Sequence, residues 1–198
     1  MRVLLIGGSS NVGKSTVAGI LGARAGWTPM STDRMGRHPG RPWPASGHLK
    51  PHVATHYSKL SQGELIRSVL THYRNMEPSI RALAAKHAQD QTLDRLVLEG
   101  SGLLPEMAAM LHVPRVSAIW LTADDATFAT RIRRESSYDS LDAQGRLLVD
   151  AFLGRTLRYN QHMLREARTR SMPVLAVSDA ASPEEVARAA LEAARPLR

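Results

Sequence analysis

Short apolar runs alternate with longer segments of helical period along most of the chain. Val3 to Ile6 is a continuous apolar run ended by glycines, the pattern of a strand buried on both faces. Lys14 to Ala25 follows with Val17, Ile20 and Leu21 on one helical face, and a second short strand is expected over Trp27 to Ser31. Ser61-Gln62-Gly63-Glu64 has capping-box form. Leu65, Ile66, Val69, Leu70 and Tyr73 continue it as an apolar helical stripe that Pro78 is expected to close, with a separate helix from about Ser79 to Gln89. Leu93 to Leu98 and Val116 to Leu121 read as further buried strands. Thr122-Ala123-Asp124-Asp125 caps a helix carrying Arg131, Arg133 and Arg134, and a long helix is expected from Arg146 to about Arg170. Val174 to Val177 is the last expected strand. Ser182-Pro183-Glu184-Glu185 then opens the final helix with a cap, a first-turn proline and acidic residues at its positive end.

Strands alternating with helices predict an α/β fold, a parallel sheet covered on both faces that binds ligands at the carboxyl ends of its strands. Two stretches stand outside the alternation. "DRMGRHPGRPWPASGHLKP" is rich in Gly, Pro and Arg and reads as a long functional loop, and "ESSYDSLDAQG" reads as a mobile loop. At 198 residues the chain suits a single domain spanning 1–198.

Composition narrows the function classes. The 43% hydrophobic content belongs to a globular chain. The net charge of +8 comes from 26 basic against 18 acidic residues, arginine far outnumbering lysine, which favours anionic small molecules as partners. Nucleic acid is the less favoured partner, because no zinc-finger spacing, aromatic-basic motif or basic tail accompanies the charge. No cysteine is present, so disulfides and thiolate metal sites are excluded and a cytoplasmic location is expected. No apolar stretch approaches the length of a membrane span. The oligomeric state, monomer or homodimer, stays open.

The chemistry concentrates where the first strand meets the first helix. Gly8-Ser9-Ser10-Asn11-Val12-Gly13-Lys14-Ser15 matches G-x-x-x-x-G-K-[ST] at every fixed position and lies between a strand and a helix, the context of a true phosphate loop. Glycines let successive N–H groups turn inward, and the helix adds its positive end. The expected nucleotide-binding stretch runs through Gly8, Ser9, Ser10, Asn11, Val12, Gly13, Lys14, Ser15 and Thr16, with ATP and Mg²⁺ as cofactors. Lys14 would reach the β- and γ-phosphates and the Ser15 hydroxyl would ligate Mg²⁺.

Such a loop needs an acid for the metal, and Glu99, at the end of Leu96-Val97-Leu98-Glu99, supplies it. Asp33 ends the second strand beside the loop, where a carboxylate can accept the proton of a substrate hydroxyl; its bland alternative is a helix cap. Arg131 and Arg134 share a helix face and would neutralise the transferring charge. Arg37, His38 and Arg41 follow Asp33 and would hold an anionic acceptor group, with Arg155 as a weaker candidate at the same mouth. His48, His52 and His56 recur every fourth residue. Pro51 is expected to interrupt the helix that a metal stripe would need, and no carboxylate supports one.

The stretches "GGSSNVGKSTVA", "STDRMGRHPGRPW", "LVLEGSGLLPE", "RIRRES" and "FLGRTLRYN" resemble the small P-loop kinases, which include gluconate and shikimate kinases, nucleoside and nucleotide kinases and chloramphenicol phosphotransferase. They look most like bacterial proteins labelled 2-phosphoglycerate kinase or AAA-family ATPase. The resemblance implies a three-layer fold whose five-stranded parallel sheet has the order 2-3-1-4-5, ATP with Mg²⁺, an acceptor-binding insertion at about 34–90, a lid at about 131–146 and an acidic base at the Asp33 position. The expected activity is transfer of the γ-phosphoryl group to a hydroxyl of a small anionic metabolite, such as a 2-phosphoglycerate-like compound, a nucleoside or a sugar acid. A P-loop ATPase or switch acting on a macromolecule, and an antibiotic-modifying kinase, stand as alternatives.

Overall fold

The computed structural model describes residues 1–36, 38–43 and 48–197. Five parallel strands lie in the order β2-β3-β1-β4-β5: β1 is Val3–Gly8, β2 Thr28–Ser31, β3 Leu96–Glu99, β4 Val116–Thr122 and β5 Val174–Ala176. A two-residue strand, β6 (Arg195–Pro196), adds an antiparallel pair on β4, which the apolar pattern does not announce. The central strands β1, β3 and β4 are buried along their whole length, as continuous apolar runs require when helices cover both faces.

Period-two alternation assigns side chains to the two layers. Leu4, Ile6, Val97, Ile119 and Leu121 point into one core with α1 (Lys14–Ala25), α5 (Asp125–Glu135) and α7 (Pro183–Ala193). Val3, Leu5, Leu96, Leu98, Ala118 and Trp120 point into the other with α3 (Gln62–Gln89), the short α4 (Pro105–Ala109) and α6 (Ala143–Thr169). A third core of Trp43, Val53, Tyr57, Leu65, Ile132, Leu148 and Phe152 joins α2 (Pro51–Lys59) to α3, α5 and α6 beyond the sheet.

Two proline expectations are corrected. Pro78 does not end a helix: α3 runs unbroken through it, and its buried residues Leu65, Val69, Met76, Ile80, Ala84 and Ala88 keep one phase on both sides. Burial of that long face outweighs the backbone hydrogen bond that a proline removes. The Ser61–Glu64 capping box forms as expected. Pro51 does not interrupt a helix either. It occupies the first turn of α2, where its missing N–H costs nothing, so His52 and His56 lie on one helix and His48 precedes it. Among the described residues no group of three or more potential ligands is placed to hold a metal.

The polar stretch before α6 is a 3-10 turn at Tyr138–Ser140, and α6 begins at Ala143. The Tyr138 hydroxyl donates to Asp150 at 2.8 Å, and the guanidinium carbons of Arg133 and Arg146 lie 5.1 and 5.6 Å from its ring centroid. Among the described residues no helix is long and apolar enough to cross a membrane.

Strand register brings the chemistry to one edge. Ile6 pairs with Glu99, and Glu99 pairs with Ser31, so the phosphate loop, Glu99 and the segment holding Asp33 leave the sheet side by side. Gly100 makes this possible. Its φ of +154° is one that side chains rarely adopt, and a Cβ there would stand 1.8 Å from Thr32 Oγ1 and 2.8 Å from Thr32 Cβ. Gly100→Ala is therefore expected to destabilise the protein by about 2–4 kcal/mol, combining backbone strain with overpacking. The melting temperature should fall by roughly 5–15 °C. An unchanged melting curve would show that Thr32 can move aside.

Candidate active site

One cleft of about 940 Å³ runs along the carboxyl edge of the sheet and takes in the loop residues Ser10 to Thr16. Gly8 and Ser9 lie beneath it. The Ser9 hydroxyl donates to the Thr156 carbonyl at 2.9 Å, which ties the loop to α6. Asn11 and Gly13 both adopt positive φ (64° and 104°), a turn that asparagine and glycine tolerate. At Gly13 an added Cβ would find its nearest neighbour in Arg131 Nη1 at 4.0 Å, so the glycine serves the backbone conformation more than local space.

Lys14 is 7% exposed, and its Nζ donates to the Ser9 carbonyl at 2.8 Å. Burial pushes its pKa down, while Glu99 and Asp33 push it back up and Arg41 lowers it further. The Ser15 hydroxyl donates to Glu99 Oε1 at 3.0 Å, and Glu99 is itself buried. This pair of oxygens at the loop fits a Mg²⁺ ion, which takes few protein ligands and keeps most of its water.

Asp33 lies in a 3-10 turn capped by Ser31, whose hydroxyl accepts from the Asp33 N–H at 3.3 Å, and its exposed carboxylate faces the cleft. It is not acting as a helix cap for another residue: here Ser31 is the cap. The Asp33 charge is felt at Lys14 on one side and at His72 and Tyr73 on the other.

The arginines divide by partner. Arg131 donates through Nε and Nη2 to Asp179 Oδ1 at 2.8 and 2.6 Å, and through Nη1 to the Val12 carbonyl at 3.1 Å and the Asn11 carbonyl at 3.4 Å. It bolts α5 to the phosphate loop. Arg134 lines the cleft and has no ion-pair partner among the described residues. Arg41 pairs with Glu135, whose second oxygen accepts from the Asn11 side chain. Arg37 lies outside the described residues.

Arg155 is 5% exposed and has no carboxylate partner among the described residues. It donates to the Tyr57 hydroxyl at 2.6 Å, and its guanidinium carbon sits 4.5 Å from the Phe152 ring centroid. Tyr57 in turn donates to the Gly40 carbonyl at 2.8 Å, and burial pushes its pKa up to about 12. A chain from α6 through α2 thus holds the loop that carries His38 and Arg41. His38 and His72 line the cleft on this side.

Glu135 and Asp179 are functional candidates that sequence reading missed. Asp179 stands just beyond a strand end, which was a usable signal. Glu135 had none, because its partners Asn11 and Arg41 lie 124 and 94 residues away. Beyond Asp179, Val177, Ala181, Pro183 and Val186 form an apolar wall at the far side of the phosphate loop.

No protein-family profile matches the chain, and no curated protein matches it. Solved structures do. A gluconokinase from Sinorhizobium meliloti is similar with a TM-score of 0.54 at 16% identity over 96% of this chain and 90% of that one. A deoxyadenosine kinase from M. mycoides gives 0.53 at 12% identity over 96% and 97%. A sugar kinase from Janibacter gives 0.50 at 15% identity over 98% and 94%. The fold is that of the small P-loop kinases, with the sheet order that the resemblance implied. The narrower likeness to proteins labelled 2-phosphoglycerate kinase finds no support in these neighbours.

Proposed function

We propose that the protein is an ATP-dependent phosphotransferase that moves the γ-phosphoryl group to a hydroxyl of a small anionic metabolite. The observation that carries this reading is the position of Asp33. Its exposed carboxylate lines the same cleft as Lys14 and Ser15 of the phosphate loop and as His38 and His72 of the insertion, so it stands where donor and acceptor would meet.

In this reading the chain is one kinase domain over 1–198. The insertion at about 34–90 holds the acceptor, and the segment at about 131–146 serves as the lid. The backbone of Ser10 to Ser15 and the Lys14 ammonium hold the phosphates. The apolar wall of Val177, Ala181, Pro183 and Val186 receives the nucleoside base. Ser15 and Glu99 hold Mg²⁺, which neutralises phosphate charge when bound. Asp33 accepts the hydroxyl proton. Arg134, with no ion pair of its own, is better placed than Arg131 to follow the transferring charge. Arg155, buried without a carboxylate, is the anchor for the acceptor's anionic group, because a buried guanidinium calls for a counter-charge.

The test is product formation. Purified protein with Mg²⁺-ATP and a panel of hydroxy acids, sugar acids and nucleosides is expected to yield a phosphorylated acceptor. ATP binding with no product from any of them, and with hydrolysis stimulated by a macromolecule, would replace this reading with an ATPase or switch.

A further inference from the structure

Three histidines from three elements meet at the acceptor end of the cleft; only His38 is among the expected acceptor contacts, and no role above involves a proton on any of their rings. His38 belongs to the loop after β2, His56 to α2 and His72 to α3. The His38 ring centroid lies 5.2 Å from that of His56 and 5.0 Å from that of His72. His38 Nδ1 is 3.0 Å from the Pro39 carbonyl and so carries the proton, which leaves Nε2, 3.3 Å from Ser68 Oγ, to accept. His56 Nε2 is buried with no hydrogen-bond partner.

Several described groups bear on the charge of this cluster, and Arg41, His48, Lys50 and His52 line the space beside His38. Burial first, then Arg155 from α6, then His72 and His56, push His38 down to about 3. Burial and Arg155 lower His56. Burial lowers His72, and Asp33 opposes it. Tyr57 and Tyr73, the hydroxyls from α2 and α3, are raised by burial and stay neutral. Arg155 is therefore the fixed cation that bears on both His38 and His56, among imidazoles that burial keeps neutral. A cluster of this kind resists protonation only while no anion is present, since a negative charge seated among these groups offsets the Arg155 repulsion.

We propose that Arg155, His38 and His72, with His56 behind them, form a subsite for the acceptor's anionic group, a carboxylate or a phosphate monoester, and that filling it takes up a proton on the histidines. The assignment of that anion to the acceptor rests on the kinase reading. Linkage sets the sign. The free histidines are neutral above their lowered pKa values, and the anion raises them, so binding tightens as pH falls through the raised values and weakens as pH rises. The limit is about tenfold in affinity per pH unit for each proton taken up. Neutral compounds of the same shape should show no such slope.

The experiment uses the full chain with its phosphate loop filled by Mg²⁺ and a non-hydrolysable ATP analogue. Sulfate and formate, which keep fixed charges between pH 5.5 and 7.5, serve as probes for the two anion types. Calorimetry in two buffers of different ionisation heat reads affinity and proton uptake together. Both anions are expected to bind more tightly at pH 5.5 than at 7.5 with net proton uptake, the tighter of the two naming the anion type. His38→Asn with His72→Asn should flatten the slope. Binding that is independent of pH in the wild-type protein, which needs no variant to fold, overturns the proposal; so does proton uptake unchanged in the double variant. An analogue that fails to bind counts against the kinase reading alone, and the wild-type and double-variant titrations then still decide the subsite.

Discussion

Lys14→Ala is expected to lower ATP turnover by on the order of 10²–10³-fold or more, the scale of removing a preorganised charge donor from a closed site. The ammonium is positioned before any ligand arrives: Nζ is buried and held at 2.8 Å by the Ser9 carbonyl, five residues back on the same loop. Its removal leaves Glu99 and Asp33 facing the polyphosphate without a cation on which both act. Repulsion then replaces attraction where charge develops. Lys14→Arg should not rescue, because a branched fork does not fit a site in which lysine is 7% exposed. Turnover and ATP affinity measured beside a melting curve make the check. A folded Lys14→Ala protein within tenfold of the wild type would remove the loop from the chemistry.

The same loop explains why the proposed nucleotide half of the cleft is legible in sequence. Its signature is local, from Gly8 to Ser15, with a strand on one side and a helix on the other, so residue spacing carries the whole geometry. Glu99 was legible for a related reason: it ends a buried strand, and parallel sheets put their chemistry at that edge. The strand order came from the likeness to known kinases, since nothing in an apolar run states its neighbour. The prolines mislead for different reasons: at Pro78 the local cost is visible in sequence and the tertiary gain that outweighs it is not, whereas at Pro51 the first turn of a helix carries no such cost. Pro78 sits within a face buried from Leu65 to Ala88, and Pro51 sits where a helix can begin. The proposed acceptor half depends on contacts across the chain. Arg155 meets Tyr57 from 98 residues away, and Glu135 joins Asn11 to Arg41. Spacing puts Arg131 on one helix face with Arg134, but its position on Asp179 and the loop carbonyls is set by the packing of α5.

Asp33→Asn separates the acceptor half from the donor half. Transfer should fall by on the order of 10²–10⁴-fold, the contribution of a positioned general base. ATP affinity should not weaken, because the substitution removes a negative charge whose field reaches Lys14 and so reduces repulsion toward the polyphosphate. The backbone of the site should stay in place, since the Asp33 N–H is fixed by Ser31 and Thr32 beneath it is fully buried against Gly100. Any loss therefore reports on the carboxylate itself. Glu99→Gln supplies the contrast. Glu99 accepts from Ser15 at the proposed Mg²⁺ position, so its loss should raise the Mg²⁺ concentration needed for half-maximal rate, whereas Asp33→Asn should leave that concentration unchanged. Transfer that survives Asp33→Asn, with a rate that collapses in Glu99→Gln at saturating Mg²⁺, would move the base from Asp33 to Glu99.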